Sequence, residues 1–182
     1  IHNLNELKGF IKLGKQLNLK IKDIKKAYHK ACIKFNKKMK EKIMINTNKL
    51  DSCNKKILIV SHAYNIHDNY IGKIIKDNLT KFNCEIIYSD LFNNTSDLSF
   101  YLSNELYWKY SKQNIGAIVL CKEKIDGIIF LTTFPCGLDS LVNELVIRKI
   151  DKPYLNLVID DLDAEAGIET RIESFVDILE QA

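Results

Sequence analysis

The chain has 182 residues, 46% of them hydrophobic and 27% charged, which is enough for one core plus an appendage without disulfides or a structural metal. Intrinsic disorder and a stapled mini-protein are excluded. No apolar run approaches the ~18 residues of a membrane span, and the opening IHNLNELKGF has neither the apolar stretch nor the cleavage signal of a secretory leader, so a cytoplasmic protein that does not enter membranes is expected. The net charge of +4 combines 25 lysines with only two arginines, Arg148 and Arg171. Arginine is the residue that reads phosphates and guanines bidentately, so the lysine surplus argues against nucleic-acid recognition. The first residue is Ile1 rather than Met, and a piece of a longer chain is expected.

The charge is uneven along the chain. Residues 1–56 hold 16 lysines and four acids, net +12, whereas residues 57–182 hold 11 Lys and Arg and 19 acids, net −8. A short helix is expected around Leu4 to Leu17. In LKIKDIKKAYHKACIKFNKKMKEKI, the residues Ile21, Ile24, Tyr28, Ala31, Phe35 and Met39 recur at spacings of three and four, which predicts one apolar face on a long lysine-rich helix. The segment from Asn46 to Lys55 has no periodicity and several turn formers, and it separates a helical arm over residues 1–50 from an α/β domain over 56–182.

From Lys56 short apolar runs alternate with helical patterns. Strands are expected at about 56–61, 84–89, 126–133 and 153–160, nearly continuous in Ile, Leu and Val as strands buried on both faces of a parallel sheet are. Helical patterns follow each run, in DNYIGKIIKDNLTKF, LSNELYWKYSKQNIGAIVLCKEK, SLVNELVIRKI and ETRIESFVDILEQA. Four β-α units with right-handed crossovers predict a doubly wound, flavodoxin-like or Rossmann-like sheet of order 2-1-3-4.

Ligands of such sheets bind outside the carboxyl ends of the strands, which here precede HAYNIHDNY, DLFNN, FPCGLDS and DDLDAEAGIETR. Cys136, in Pro-Cys-Gly ahead of a helix, has the setting of a stabilised thiolate, suited to a nucleophile or a metal ligand; the alternative is a small buried side chain at a turn. Cys32, Cys53, Cys84 and Cys121 are widely spaced, and no CxxC pair exists for a self-contained zinc or cluster site. His62 and His67 flank Asn65 and Asp68, a set able to hold a metal, a phosphate or a carbonyl oxygen, or simply to cap the loop. Neither GxGxxG nor GxxxxGK is present, which disfavours a dinucleotide or P-loop cradle. Asp160, Asp161, Asp163 and Glu165 have the charge of a hard-cation site without its spacing, Asp139 and Ser140 are capping candidates, and Glu169 and Arg171 are a candidate helix pair.

The segments SHAYNIHDNYIGKII, EIIYSDLF, ELYWKYSKQNIGAI, DGIIFLTTFPCGLDSLVNELVIRKI and KPYLNLVIDDLDAEAGIETRIESFVDIL together resemble the carboxyl-terminal α/β region of the 2-hydroxyacyl-CoA dehydratase-like family. The closer likeness is to its acyl-CoA dehydratase activase-related branch. It runs from about Lys56 to Leu179, and the lysine-rich helix is similar to the family's connecting helix. The sequence departs from the pattern at Ala63, where the family usually has Pro, and at Leu162.

The resemblance implies a cytosolic 4Fe-4S protein of anaerobes. It belongs to a system in which an ATP-dependent activator delivers low-potential electrons for the reduction or dehydration of acyl-CoA substrates. Cys136 matches the family cysteine and becomes the expected cluster ligand, with His62, Tyr64 and Asn65 lining the cleft. The remaining cluster cysteines are expected outside this chain, in an amino-terminal α/β domain or a partner subunit, and the isolated chain is expected to be inactive. Two other readings stand beside it: a metal-free ligand-binding or partner-docking domain, and a thiol enzyme pairing Cys136 with His62 or His67.

Overall fold

A computed structural model describes residues 4–133, 136–160 and 165–181. The chain divides into two compact units, Ile1–Lys42 and Ile43–Ala182.

The first unit is a helical hairpin of α1 (Leu4–Gln16) and the greater part of α2 (Ile21–Asn48). The turn closes where Leu19 N donates to Gly14 O at 2.9 Å, with Asn18 in the left-handed region at φ 57°, a conformation asparagine tolerates better than most residues. Gly14 has no Cβ because the Ile24 side chain fills that space. Of the expected apolar face only Ile24 is buried, while Ile21, Ala31 and Phe35 are exposed. Helical spacing alone does not bury a stripe. A two-helix hairpin has too little surface to cover one.

The second unit is the expected four-stranded parallel sheet, order β2-β1-β3-β4, built of β1 (Lys56–Val60), β2 (Glu85–Tyr88), β3 (Gly127–Thr133) and β4 (Tyr154–Ile159). The strands form because β-branched runs favour extended backbone and fill both faces of a buried sheet. On one face Ile57, Ile59, Ile129, Leu131, Leu157 and Ile159 pack with α4 (Ile71–Lys81) and α7 (Glu165–Gln181). On the other, Leu58, Val60, Ile128 and Phe130 pack with α5 (Lys109–Cys121) and α6 (Gly137–Ile147).

Three local differences from the sequence reading have physical causes. First, α2 runs on through Asn46, where turn formers predict a boundary. There Asn46 Nδ2 donates to Tyr88 O at 3.0 Å and to Leu91 O at 3.1 Å, and Tyr88 N donates back to Asn46 Oδ1 at 2.8 Å, so helix end and strand edge fix each other. Second, α5 begins at Lys109; a 3-10 turn over Ser96–Tyr101 takes part of the space, and α5 lies against it because Gly116 has no Cβ to strike Thr95 O. Third, the first loop contains a single helical turn, α3 (Ala63–Ile66).

Candidate functional site at the carboxyl ends of β1 and β3

The order 2-1-3-4 sends the chain leaving β1 to the α4 face and the chain leaving β3 to the α6 face. The two loops part company between neighbouring strands, which is where open α/β sheets form their crevice. At that point lies a polar cavity of about 20 Å³, the size of one water molecule. Ser61 and His62 reach it from β1, Thr132 from β3, Ser111 and Asn114 from α5, and Asp139 and Asn143 from α6.

Short neutral side chains tie the rim together. Asn65 Nδ2 donates to Ser61 Oγ at 3.1 Å, and Thr133 Oγ1 donates to Asn65 Oδ1 at 3.0 Å, so Asn65 bridges the ends of β1 and β3. Asn114 Nδ2 donates to the Ser61 carbonyl at 3.3 Å and its Oδ1 accepts from Ser89 Oγ at 2.9 Å, which adds β2. Asn143 Nδ2 donates to Thr132 Oγ1 at 3.3 Å. Ser111 and Asn143 are each more than nine-tenths buried where they line this cavity.

The histidines belong to two separate pairs. His62 Nε2 lies 3.3 Å from Asp139 Oδ2, its ring stacks on Tyr64 at 5.0 Å and 8°, and Tyr110 meets it edge-on at 5.7 Å. His67 Nε2 donates to Asp90 Oδ2 at 2.8 Å and its ring tilts against Tyr88; the other oxygen, Asp90 Oδ1, is buried without a partner. Asp68 Oδ2 accepts from the Tyr70 and Ile71 amides at 2.6 and 2.7 Å, capping α4. The first-loop set therefore does not converge on one ion. Among the described residues no group of three or more His, Cys, Asp or Glu does.

Cys136 is the N-cap residue of α6 in extended backbone, with its side chain half-buried and making no cap hydrogen bond. It stands on the rim that bears His62. The Tyr64 phenol is held above its usual 10.0, first by partial burial and then by the neighbouring Asp139 and Cys136. Neither His62 nor His67 pairs with Cys136 among the described residues, because each is engaged by a carboxylate. Phe134, Pro135, Asp161 and Asp163, also singled out in the sequence, lie outside the described residues.

A 4Fe-4S cluster takes about four cysteine thiolates. Cys53 precedes β1, Cys84 precedes β2 and Cys121 ends α5, all toward the amino ends of the strands. Cys84 and Cys121 are buried, and burial pushes the Cys121 thiol up to about 12. Among the described residues of the α/β unit, the carboxyl rim thus offers one thiol. That is a donor set for one corner of a cluster and too small to hold a cluster alone.

Sequence reasoning passed over Ser61, Ser111, Asn114, Thr132 and Asn143. One signal was present: Ser111 sits at the i position of the apolar stripe Ser111, Ile115, Ile118, and a hydroxyl on a buried stripe needs a partner.

No curated protein and no solved structure matches the chain. Residues 2–92 match the family described as CoA enzyme activase uncharacterised domain (DUF2229). That stretch runs through the helical unit, β1, α3, α4 and β2, so it takes in His62, Tyr64, Asn65, His67 and Asp90 and stops before β3 and Cys136. With half of the 182 residues matched, the chain belongs to the family of the CoA enzyme activase uncharacterised domain.

Proposed function

We propose that the α/β unit is a ligand-presenting module of an acyl-CoA dehydratase activase-related system of the 2-hydroxyacyl-CoA dehydratase-like type, in which Cys136 is one thiolate ligand of a 4Fe-4S cluster. The observation that carries this reading is the position of Cys136: a half-buried thiol at the N-cap of α6, on the sheet edge where α/β folds bind ligands. The other thiolates come from an amino-terminal α/β domain or a partner subunit. An ATP-dependent activator supplies the electrons, acyl-CoA is the substrate class, and the setting is the anaerobic cytoplasm. The bound cluster would supply low-potential electron transfer.

This chain's own residues present the sulfur. Cys136 stands at the N-cap of α6, so its side chain lies at the rim rather than in the sheet's interior. His62, held by Asp139 and covered by Tyr64, forms the neighbouring wall. Asn65 fixes the spacing of the two loops through Ser61 and Thr133.

The test is anaerobic cluster reconstitution of the protein together with the polypeptide that carries the remaining cysteines, with iron analysis and electron paramagnetic resonance. Cys136→Ser is expected to lower the iron content or shift the spectrum. Iron and spectrum identical to the parent overturn the ligand role.

A second reading, a metal-free ligand-binding or partner-docking domain, is favoured by one observation: the buried polar side chains of Ser111, Thr132 and Asn143 line a cavity at the crevice between β1 and β3. A colourless protein whose melting temperature rises with CoA esters supports it over the first.

A further inference from the structure

The helical unit carries an apolar surface that its own two helices leave uncovered. Phe10, Leu13, Gly14 and Leu17 at the first helix, and Ile24, Ala27, Tyr28 and Ala31 on α2, recur at the same i, i+3, i+4, i+7 spacing. The stripes meet along one seam, where the Ile24 side chain fills the space beside Gly14 and the Phe10 ring lies 5.5 Å from that of Tyr28. They also leave between them an open groove of about 300 Å³. It continues past Phe10, Tyr28 and Ala31 into a second lobe of about 370 Å³ that reaches Phe35 and Asn36. Phe10, Leu13, Leu17 and Phe35 are each more than half exposed.

The lining narrows what can fill this groove. A small ligand needs convergent polar groups to orient it, and the first lobe offers only the Tyr28 hydroxyl, which donates to Glu6 Oε2 at 3.3 Å. Helices that lie on a bilayer raise bulky side chains into it, whereas here Gly14, Ala27 and Ala31 form a floor of small residues. Small residues let a third helix approach to the usual packing distance of about 8–10 Å between axes. From Ile24 to Phe35 the groove runs about 17 Å, three turns of such a helix.

The edge of the groove sets the charge of its occupant. Lys20 stands four residues before Ile24, Lys30 three after Ala27 and Lys34 three after Ala31, so all three are helical neighbours of the floor. They are exposed, and among the described residues none is in a salt bridge. Asp23 is the acid on that edge. Residues 1–42 carry 13 lysines against three acids, net +10, so a second copy of the groove would meet strong like charge. We propose that the groove receives an amphipathic helix of a partner protein, about three turns long, with an apolar stripe that fills the two lobes and Glu or Asp beside it, facing Lys20, Lys30 and Lys34. The third helix completes a bundle and buries the stripe that the hairpin leaves open. This docking involves the helical unit alone and holds whether or not Cys136 binds a cluster.

Fluorescence anisotropy of the 182-residue chain with labelled synthetic peptides tests the proposal. The probe has about 14 residues, with Leu at i, i+3, i+4 and i+7 and Glu beside the stripe, and a twin carries Lys in place of Glu. The acidic peptide is expected to bind at least tenfold more tightly than the twin, by roughly 1.4 kcal/mol, and to weaken as salt rises. Leu13→Asp combined with Leu17→Asp, both at exposed positions, is expected to abolish binding with unchanged circular dichroism of the free protein. Lys30→Glu combined with Lys34→Glu leaves the apolar floor intact and is expected to erase the preference for the acidic peptide. Equal affinity for the two peptides, or binding of neither, overturns the proposal. So does a preference that both double variants leave unchanged. Co-sedimentation with vesicles of phosphatidylcholine and phosphatidylserine that the acidic peptide does not displace overturns it in favour of a membrane, and a dimer in ultracentrifugation that Leu13→Asp with Leu17→Asp dissolves overturns it in favour of a second copy.

Discussion

The two ends of the sheet are made from different chemistry. At the amino end, Lys56 pairs with Asp126 at 3.9 Å, Lys49 with Glu85 at 2.7 Å, Lys55 with Glu180 at 3.1 Å and Lys124 with Asp51 at 2.8 Å. Lys124 holds the Asp51 carboxyl below its usual range. Long side chains keep these charges in or near water, where each pair adds little and can be exchanged for another. At the carboxyl end the groups are short, mostly neutral and buried: Ser61, Asn65, Ser89 and Thr132. Their hydrogen bonds join loops that are distant in sequence, and removing one partner leaves a buried group unsatisfied. One end is tolerant and the other is fixed, which is the arrangement a site requires of its scaffold.

Substitutions at the two ends break or sharpen this contrast. The largest loss is expected from Phe130→Ala, which removes a fully buried ring beneath the cavity and is expected to cost about 3–5 kcal/mol in denaturant unfolding. Asn65→Leu is expected next. It strips partners from Ser61 and Thr133 and costs about 2 kcal/mol, a fall of roughly 4–8 °C in Tm by calorimetry. A loss under about 0.5 kcal/mol there would erase the contrast.

The buried thiol at the amino side gives a pH signature. Cys121 ionises at 9.0 in the unfolded chain but keeps its proton to about 12 in the fold. Its stabilising contribution is complete below pH 9 and declines as pH rises above that value. At pH 10 a loss on the order of 1 kcal/mol is expected. Cys121→Ala is expected to flatten that part of the stability profile between pH 8 and 10, whatever its effect on absolute stability. Alkylation of the folded protein at pH 8, read by mass spectrometry, is expected to label Cys53 and Cys136 and to spare Cys84 and Cys121, since the first two thiols are at least partly accessible and the last two are buried. Lys55→Ala is expected to have the smallest effect, within about 0.5 kcal/mol, because Glu180 is mostly solvated.

Much of the fold was legible because its signals are local. The runs KILIV, EIIY, GIIFLTT and YLNLVI announce buried strands, and the helical patterns between them impose a parallel sheet with the expected order. The rim loops were readable for the same reason, as was Cys136 at the start of α6. The roles of His62 and His67 were not readable, since spacing within one loop does not reveal that Asp139 and Asp90 engage them from two others. The reach of α2 through Asn46 ran against local turn propensity. It follows from bonds to Tyr88 and Leu91, which exist only once β2 is in place.

Alternation, helical period and turn chemistry thus set the strands, their order and the loops on which chemistry can sit, because each acts over a few neighbouring residues. The polar cavity, the Asn65 bridge and the sealed edge at β2 arose only on packing. Their partners lie tens of residues apart, as in Asn46 with Tyr88, Ser61 with Asn114 and Asn65 with Thr133. A hydrogen bond between such residues has no counterpart in local propensity, and it forms only when burial of the surrounding apolar surface has brought the two strand ends together.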